Sequence, residues 1–125
     1  LAGIPPESCE QRGTCSVQCV AEADGRAYPC DFYAMDEYCL GNYNSSRIGD
    51  FFENETAKHF IGESLKHEEE CRECRWFRLC RNGCHRHRIR NEKTGLYKNY
   101  FCDGYRMFFE KCAPRIKEIA DYLRK

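Results

Sequence analysis

The sequence predicts a small α+β domain: an N-terminal β-hairpin, a cysteine-rich middle and C-terminal helices. Three observations carry that prediction. Asp24-Gly25 lies between SVQCVAEA and RAYPC, the strongest short hairpin signal. Eleven cysteines crowd a chain of 125 residues. From Tyr105 onward the apolar residues recur at helical spacing.

The bulk composition bounds the rest. One domain is the expected organisation at this length, and 42% hydrophobic residues suffice for a modest core. Lys+Arg and Asp+Glu are 20 each, so no net field draws the chain to nucleic acid or to an anionic membrane. No apolar run approaches the roughly 20 residues of a membrane span, and the reading places the chain in the cytoplasm. The opening LAGIPPES, without Met, suggests a fragment cut from a longer protein or a processed chain, and the fragment is the favoured reading. Two matches to the N-glycosylation pattern, at Asn44 and Asn54, are of a kind that arises often by chance.

In order along the chain, residues 16 to 29 are expected to form the hairpin, with a type I′ turn at Asp24-Gly25. Antiparallel pairing then brings Cys15 and Cys30 together at its open end. Gly41 and Asn42 mark a turn, Ser45 or Ser46 could cap a helical turn, and ENETAKHFIGESLKH has helix-forming composition. The knot CRECRWFRLCRNGC leaves too few residues between cysteines for regular structure. HRHRIRNEK reads as a solvated loop, since it lacks the interleaved aromatics of a nucleic-acid surface. Tyr105, Phe108, Phe109 and Cys112 predict one amphipathic helix, and Ile116, Ile119, Ala120 and Leu123 a second, with Pro114 in its first turn.

The cysteines carry the chemistry. Eleven in 125 residues is near the roughly 8–10% at which a short chain is either a disulfide scaffold or a thiolate metal site. The odd count and the C-x2-C spacing favour metal. Eight form a long-range pattern: Cys9, Cys15 and Cys30, then Cys71-x2-Cys74-x5-Cys80-x3-Cys84, then Cys102. Eight thiolates make two four-ligand sites, and both zinc and iron-sulfur clusters accept four cysteines. Spacing alone does not choose between them.

The string Gly25-x4-Cys30, the C-x2-C-x5-C-x3-C knot and the lone Cys102 resemble the SPASM domain, the C-terminal extension of many radical SAM enzymes. VAEADGRAYPCDFY, EYCLGN, ECRECRWFRLCRNGC and NYFC are similar to anaerobic sulfatase-maturating enzymes over most of residues 9 to 109. The resemblance implies two auxiliary 4Fe-4S clusters with interleaved ligands: Cys9, Cys15, Cys30 and Cys84 for one, Cys71, Cys74, Cys80 and Cys102 for the other. It implies a role for Asp31 as the base that takes a proton from the substrate, against the plainer reading of an Asp that hydrogen-bonds backbone at a strand end. Its activity would be oxidation of a sulfatase Cys or Ser to formylglycine, with a sulfatase or another peptide as partner.

Radical SAM chemistry also needs C-x3-C-x2-C, which this chain lacks. Cys15-x3-Cys19 is followed at the required position by Glu22, and Cys80-x3-Cys84 by His87. S-adenosylmethionine and a third 4Fe-4S cluster are therefore expected on a radical SAM domain upstream in the same polypeptide, and residues 1–125 alone are expected to be inactive. Two alternatives stay open: a SPASM domain serving another peptide-modifying enzyme, and a zinc-binding interaction module with four-cysteine sites. Cys19, Cys39 and Cys112 stand outside the pattern and read as structural. Trp76, Phe77, Tyr100 and Phe101 flank ligands and are expected to exclude water from them.

Overall fold

A computed structural model describes residues 4–124. They divide into two compact units, one of Thr14–Lys66 and one of the described residues up to Gly13 and from His67 onward. Among the described residues no helix is long and apolar enough to cross a membrane.

The Thr14–Lys66 unit contains the predicted hairpin. β1 (Val20–Ala21) pairs antiparallel with β2 (Arg26–Tyr28), with Val20 opposite Tyr28. The turn differs from the expected type I′. The Gly25 N–H donates to the Glu22 carbonyl and the Glu22 N–H to the Arg26 carbonyl, and Gly25 has φ +84° while Asp24 stays out of the left-handed region. One Gly supplies the positive φ of a three-residue loop with a bulge, so Asp24 is spared a strained conformation. Its carboxylate instead accepts from the Arg26 backbone and side chain at 3.0 and 2.6 Å.

Gly41 and Asn42 form a third strand, β3 (Gly41–Asn42), on the far side of β2, and the turn expected there follows it. Strands this short do not hold by pairing alone. A core of Ala27, Leu40, Phe51 and Ala57 backs them, with Val17, Cys19 and Tyr43 packed around it. Phe51 comes from α2 (Ile48–Glu53) and Ala57 from α3 (Glu55–Ser64). α2 starts with the Arg47 N–H on the Asp50 carboxylate, not with a serine cap. Asn54 caps α3: its Oδ1 accepts from Ala57 N–H at 2.8 Å while its amide donates to the Leu40 carbonyl at 2.8 Å.

The other unit begins with α1 (Cys9–Arg12). Its knot is more regular than expected, since α4 (Glu69–Glu73) and α5 (Phe77–Cys80) each complete about one turn. The basic stretch is not a solvated loop. Arg88 and His85 are buried, and β4 (Arg88–Arg90) pairs with β5 (Tyr97–Asn99) in a second hairpin closed at Gly95. The two predicted C-terminal helices are one, α6 (Cys102–Leu123), which runs through Pro114. A proline removes one backbone hydrogen bond, and the flanking turns of this 22-residue helix absorb the loss.

Candidate metal centre

The knot and α6 bring Cys71, Cys74, Cys80 and Cys102 to a single apolar-walled recess, which Trp76 and Phe77 also line; Cys84 is not part of that lining. Cys71 lies within α4, Cys74 follows its last turn, Cys80 ends α5 and Cys102 opens α6. Three short stretches of helix, α4, α5 and the start of α6, thus bring four thiols around one space. Burial pushes the Cys71 thiol up to about 11, helped by its neighbours Cys102 and Cys80. Burial likewise raises Cys80, and nearby Cys102 and Cys74 add to it. At Cys71 and Cys80 burial thus disfavours the thiolate, and a nearby cation would offset that cost.

Cys80 and Cys84 are parted by an unusual turn. Arg81, Asn82 and Gly83 all have positive φ, at 48°, 65° and 58°. Two of the three are not glycine, and each such residue costs about 1–2 kcal/mol. A buried polar network offsets the strain. Asn82 donates to the Tyr97 carbonyl at 2.9 Å and accepts from the Asn99 N–H at 2.8 Å. His67, held neutral by burial with its pKa lowered to about 4, lies 3.1 Å from the Asn82 amide. The Arg88 guanidinium donates to the carbonyls of Asn82, Gly83 and Gly13 at 3.0, 2.7 and 2.9 Å.

That last bond ties α1 to the turn. Arg81 also donates to the Gln11 carbonyl at 2.9 Å, and the Tyr105 hydroxyl donates to Glu10 at 2.9 Å. Gly13 meets Arg81 so closely that a Cβ there would stand 2.1 Å from the Arg81 carbonyl oxygen. Glycine at 13 serves backbone against backbone. Cys9 and Cys84, both half-buried, lie at the two ends of this tied region.

In the Thr14–Lys66 unit, Cys15 and Cys30 share an apolar cluster with Tyr33 and Phe60 at the open end of the first hairpin. The Cys15 N–H donates to the Ser64 hydroxyl at 3.0 Å. Burial pushes the Cys30 thiol up to about 11, with Asp31 and Cys15 contributing. Cys30 donates its S–H to Asp31 Oδ1 at 3.2 Å, and the same oxygen accepts the Phe32 N–H at 3.1 Å. Asp31 is exposed at the start of a short 3-10 turn, Asp31–Tyr33.

Among the described residues no disulfide joins these cysteines, and no three His, Cys, Asp or Glu side chains are grouped as a single metal ion requires. A mononuclear zinc site needs four sulfurs about 2.3 Å from one point. A cluster spreads its thiolates over several iron atoms, and four cysteines line this recess.

Two of the three extra cysteines have local contacts. Cys19, at φ 55°, packs on the Ala27 core, and Cys39 donates its thiol to the Gly41 carbonyl at 3.6 Å. Of the four aromatics expected to shield ligands, Trp76 and Phe77 line the recess, whereas Tyr100 and Phe101 are 70% and 50% exposed. The residues that sequence reasoning missed are Asn82, Arg88 and Asn99. Asn82-Gly83 between two cysteines was the available signal, since both residue types tolerate positive φ.

Residues 9–75 match the model of the SPASM family, described as an iron-sulfur cluster-binding domain. The chain is 44% identical over 117 residues to a cysteine-type anaerobic sulfatase-maturating enzyme of Clostridium perfringens, covering 94% of this chain and 32% of that relative. It is 40% identical over 123 residues to the enzyme of the same description from Clostridium novyi, covering 98% and 33%. A serine-type enzyme of Bacteroides thetaiotaomicron is 28% identical over 127 residues, covering 98% and 29%. Among solved structures, native anSMEcpe with bound AdoMet and Cp18Cys peptide superposes with a TM-score of 0.87 at 44% identity, over 94% of this chain and 32% of that one. The chain spans about a third of the length of these relatives.

Proposed function

Because this chain belongs to the SPASM family of iron-sulfur cluster-binding domains, we propose that residues 1–125 are the auxiliary-cluster domain of an anaerobic sulfatase-maturating enzyme. The observation that carries the reading is the recess lined by Cys71, Cys74, Cys80 and Cys102. Those four would hold one 4Fe-4S cluster, and Cys9, Cys15, Cys30 and Cys84 a second. Bound there, the clusters supply one-electron redox chemistry. S-adenosylmethionine and a third cluster would belong to a radical SAM domain of the same polypeptide.

In the whole enzyme a Cys or Ser of a sulfatase peptide would be oxidised at Cβ to formylglycine. Cβ would lose a hydrogen atom to the 5′-deoxyadenosyl radical of the radical SAM domain; the resulting radical would then pass an electron to a cluster and its thiol or hydroxyl proton to a base, giving a thioaldehyde, which water hydrolyses with release of sulfide, or an aldehyde directly. Asp31 would take that proton. Its exposure beside the buried Cys30 supports the role, since a metal-held sulfur next door fixes the backbone that carries the carboxylate.

Metal and sulfide analysis tests the cluster reading. Anaerobic reconstitution is expected to give about eight iron and about eight inorganic sulfide per chain, in a brown protein. Zinc without sulfide, under strict exclusion of oxygen, overturns it in favour of a zinc module.

A further inference from the structure

We propose that Trp76 donates its indole N–H to a sulfur of the cluster held in the recess and raises the reduction potential of that cluster. The inference rests on the cluster reading above and adds a residue to it.

Trp76 lines the recess with Cys71, Cys74, Cys80 and Cys102. Its Nε1 is buried and has no hydrogen-bond partner among the described residues. The other polar side chains on the walls are engaged. Asn82 donates to the Tyr97 carbonyl, Asn99 donates to the Asn82 carbonyl and accepts from the Phe101 N–H, Tyr105 donates to Glu10, and Arg106 donates to Glu70. Thiols aside, Trp76 Nε1 is the one buried side-chain nitrogen or oxygen on these walls without a hydrogen-bond partner among the described residues.

A buried N–H left unmade costs about 1–3 kcal/mol. Indole is a donor only, so it cannot be satisfied by another donor. The ring is also held in place. Phe109 stacks on it at 5.9 Å between centroids with planes 28° apart, and the Arg75 guanidinium carbon lies 4.7 Å from its centroid. A buried donor without an acceptor, on a side chain that lines a recess with four cysteines, calls for an acceptor there, and the sulfurs of an anionic cluster would be acceptors. Hydrogen bonds to sulfur stabilise the more negative, reduced state preferentially, which raises the potential.

Trp76 is the single tryptophan of the chain, so a ¹⁵N-indole label reports on it alone. In the anaerobically reconstituted chain, pulsed EPR of the reduced state is expected to show ¹⁵N coupling to one cluster. Trp76→Phe keeps an aromatic ring against Phe109 and Arg75 but removes the N–H. Its iron and sulfide should equal the parent's, with the midpoint potential of one cluster shifted negative and that of the other unchanged. A fully loaded Trp76→Phe with parental potentials, or a labelled parent without ¹⁵N coupling, overturns the proposal and leaves the cluster reading intact. If Trp76→Phe loses the cluster, the coupling in the parent decides. A parent that holds zinc, or no sulfide, fails the cluster reading first and this inference with it.

Discussion

Asp31 accepts a hydrogen bond from a group that must disappear if Cys30 is a ligand. The Cys30 S–H on Asp31 Oδ1, at 3.2 Å, exists only while the thiol is protonated, and metal ligation takes that proton away. What remains is the Phe32 N–H on the same oxygen, so the carboxylate keeps its orientation and regains acceptor capacity toward solvent or substrate. In the full-length enzyme, Asp31→Asn preserves shape and reach but lacks the basic form. Iron content and 5′-deoxyadenosine production are expected to stay at parental levels while aldehyde falls by about 10²–10⁴-fold, the usual loss on removing a general base. All three are measured on one preparation. Aldehyde at the parental rate would reduce Asp31 to the backbone-capping residue that its bond to Phe32 N–H also fits, and lost iron would make it structural.

At the scale of elements, α1 and the Arg81–Gly83 turn stand or fall together. Gly13 ends α1 at φ +69° with the Arg81 carbonyl against it. Gly13→Ala must both occupy the left-handed region and push backbone away from a 2.1 Å contact, and is expected to cost about 1–3 kcal/mol. Iron held by the set that includes Cys9 and Cys84 should fall, and iron in the recess should stay. Gly49→Ala is the control, because nothing lies within 4 Å of the added carbon and alanine favours the helix α2. Denaturant unfolding and iron analysis of both variants check this. The contrast also explains what could be read from the sequence. Asp24-Gly25 announced the first hairpin because a turn is a local event, and cysteine spacing announced the metal-binding character for the same reason. The second hairpin stayed hidden because HRHRIR looks solvent-loving, while Arg88 is in fact buried by carbonyls from Gly13, 75 residues away, and from the Asn82 turn. Pro114 suggested a break that a long helix tolerates. The Asn82 network was illegible for one physical reason: its partners, His67, Tyr97 and Asn99, meet only in the folded chain.

For the molecule as a whole, the decisive question is which cysteines act together, and the crossed ligation proposed above departs from proximity in sequence. Cys80 and Cys84 are four residues apart, yet the left-handed run between them reverses the chain, and only Cys80 reaches the recess. Cys102, at the start of α6, lines the recess with Cys71, Cys74 and Cys80, and Cys84 does not. Arg106 lies close enough to Cys102 for that thiol to be the chief cause of its raised pKa, and Arg106 and Lys98 are paired to Glu70, at 2.7 and 2.8 Å. Each of the variants Cys84→Ala and Cys102→Ala is therefore expected to lose about half of the roughly eight irons of two 4Fe-4S clusters, but not the same half. Cys102→Ala should abolish the centre coupled to the ¹⁵N of Trp76, and Cys84→Ala should leave that coupling in place. Iron analysis and pulsed EPR on the two labelled variants separate the assignments. The reverse pattern, with the Trp76-coupled centre lost in Cys84→Ala and kept in Cys102→Ala, would put Cys71, Cys74, Cys80 and Cys84 on one centre and overturn the crossed ligation.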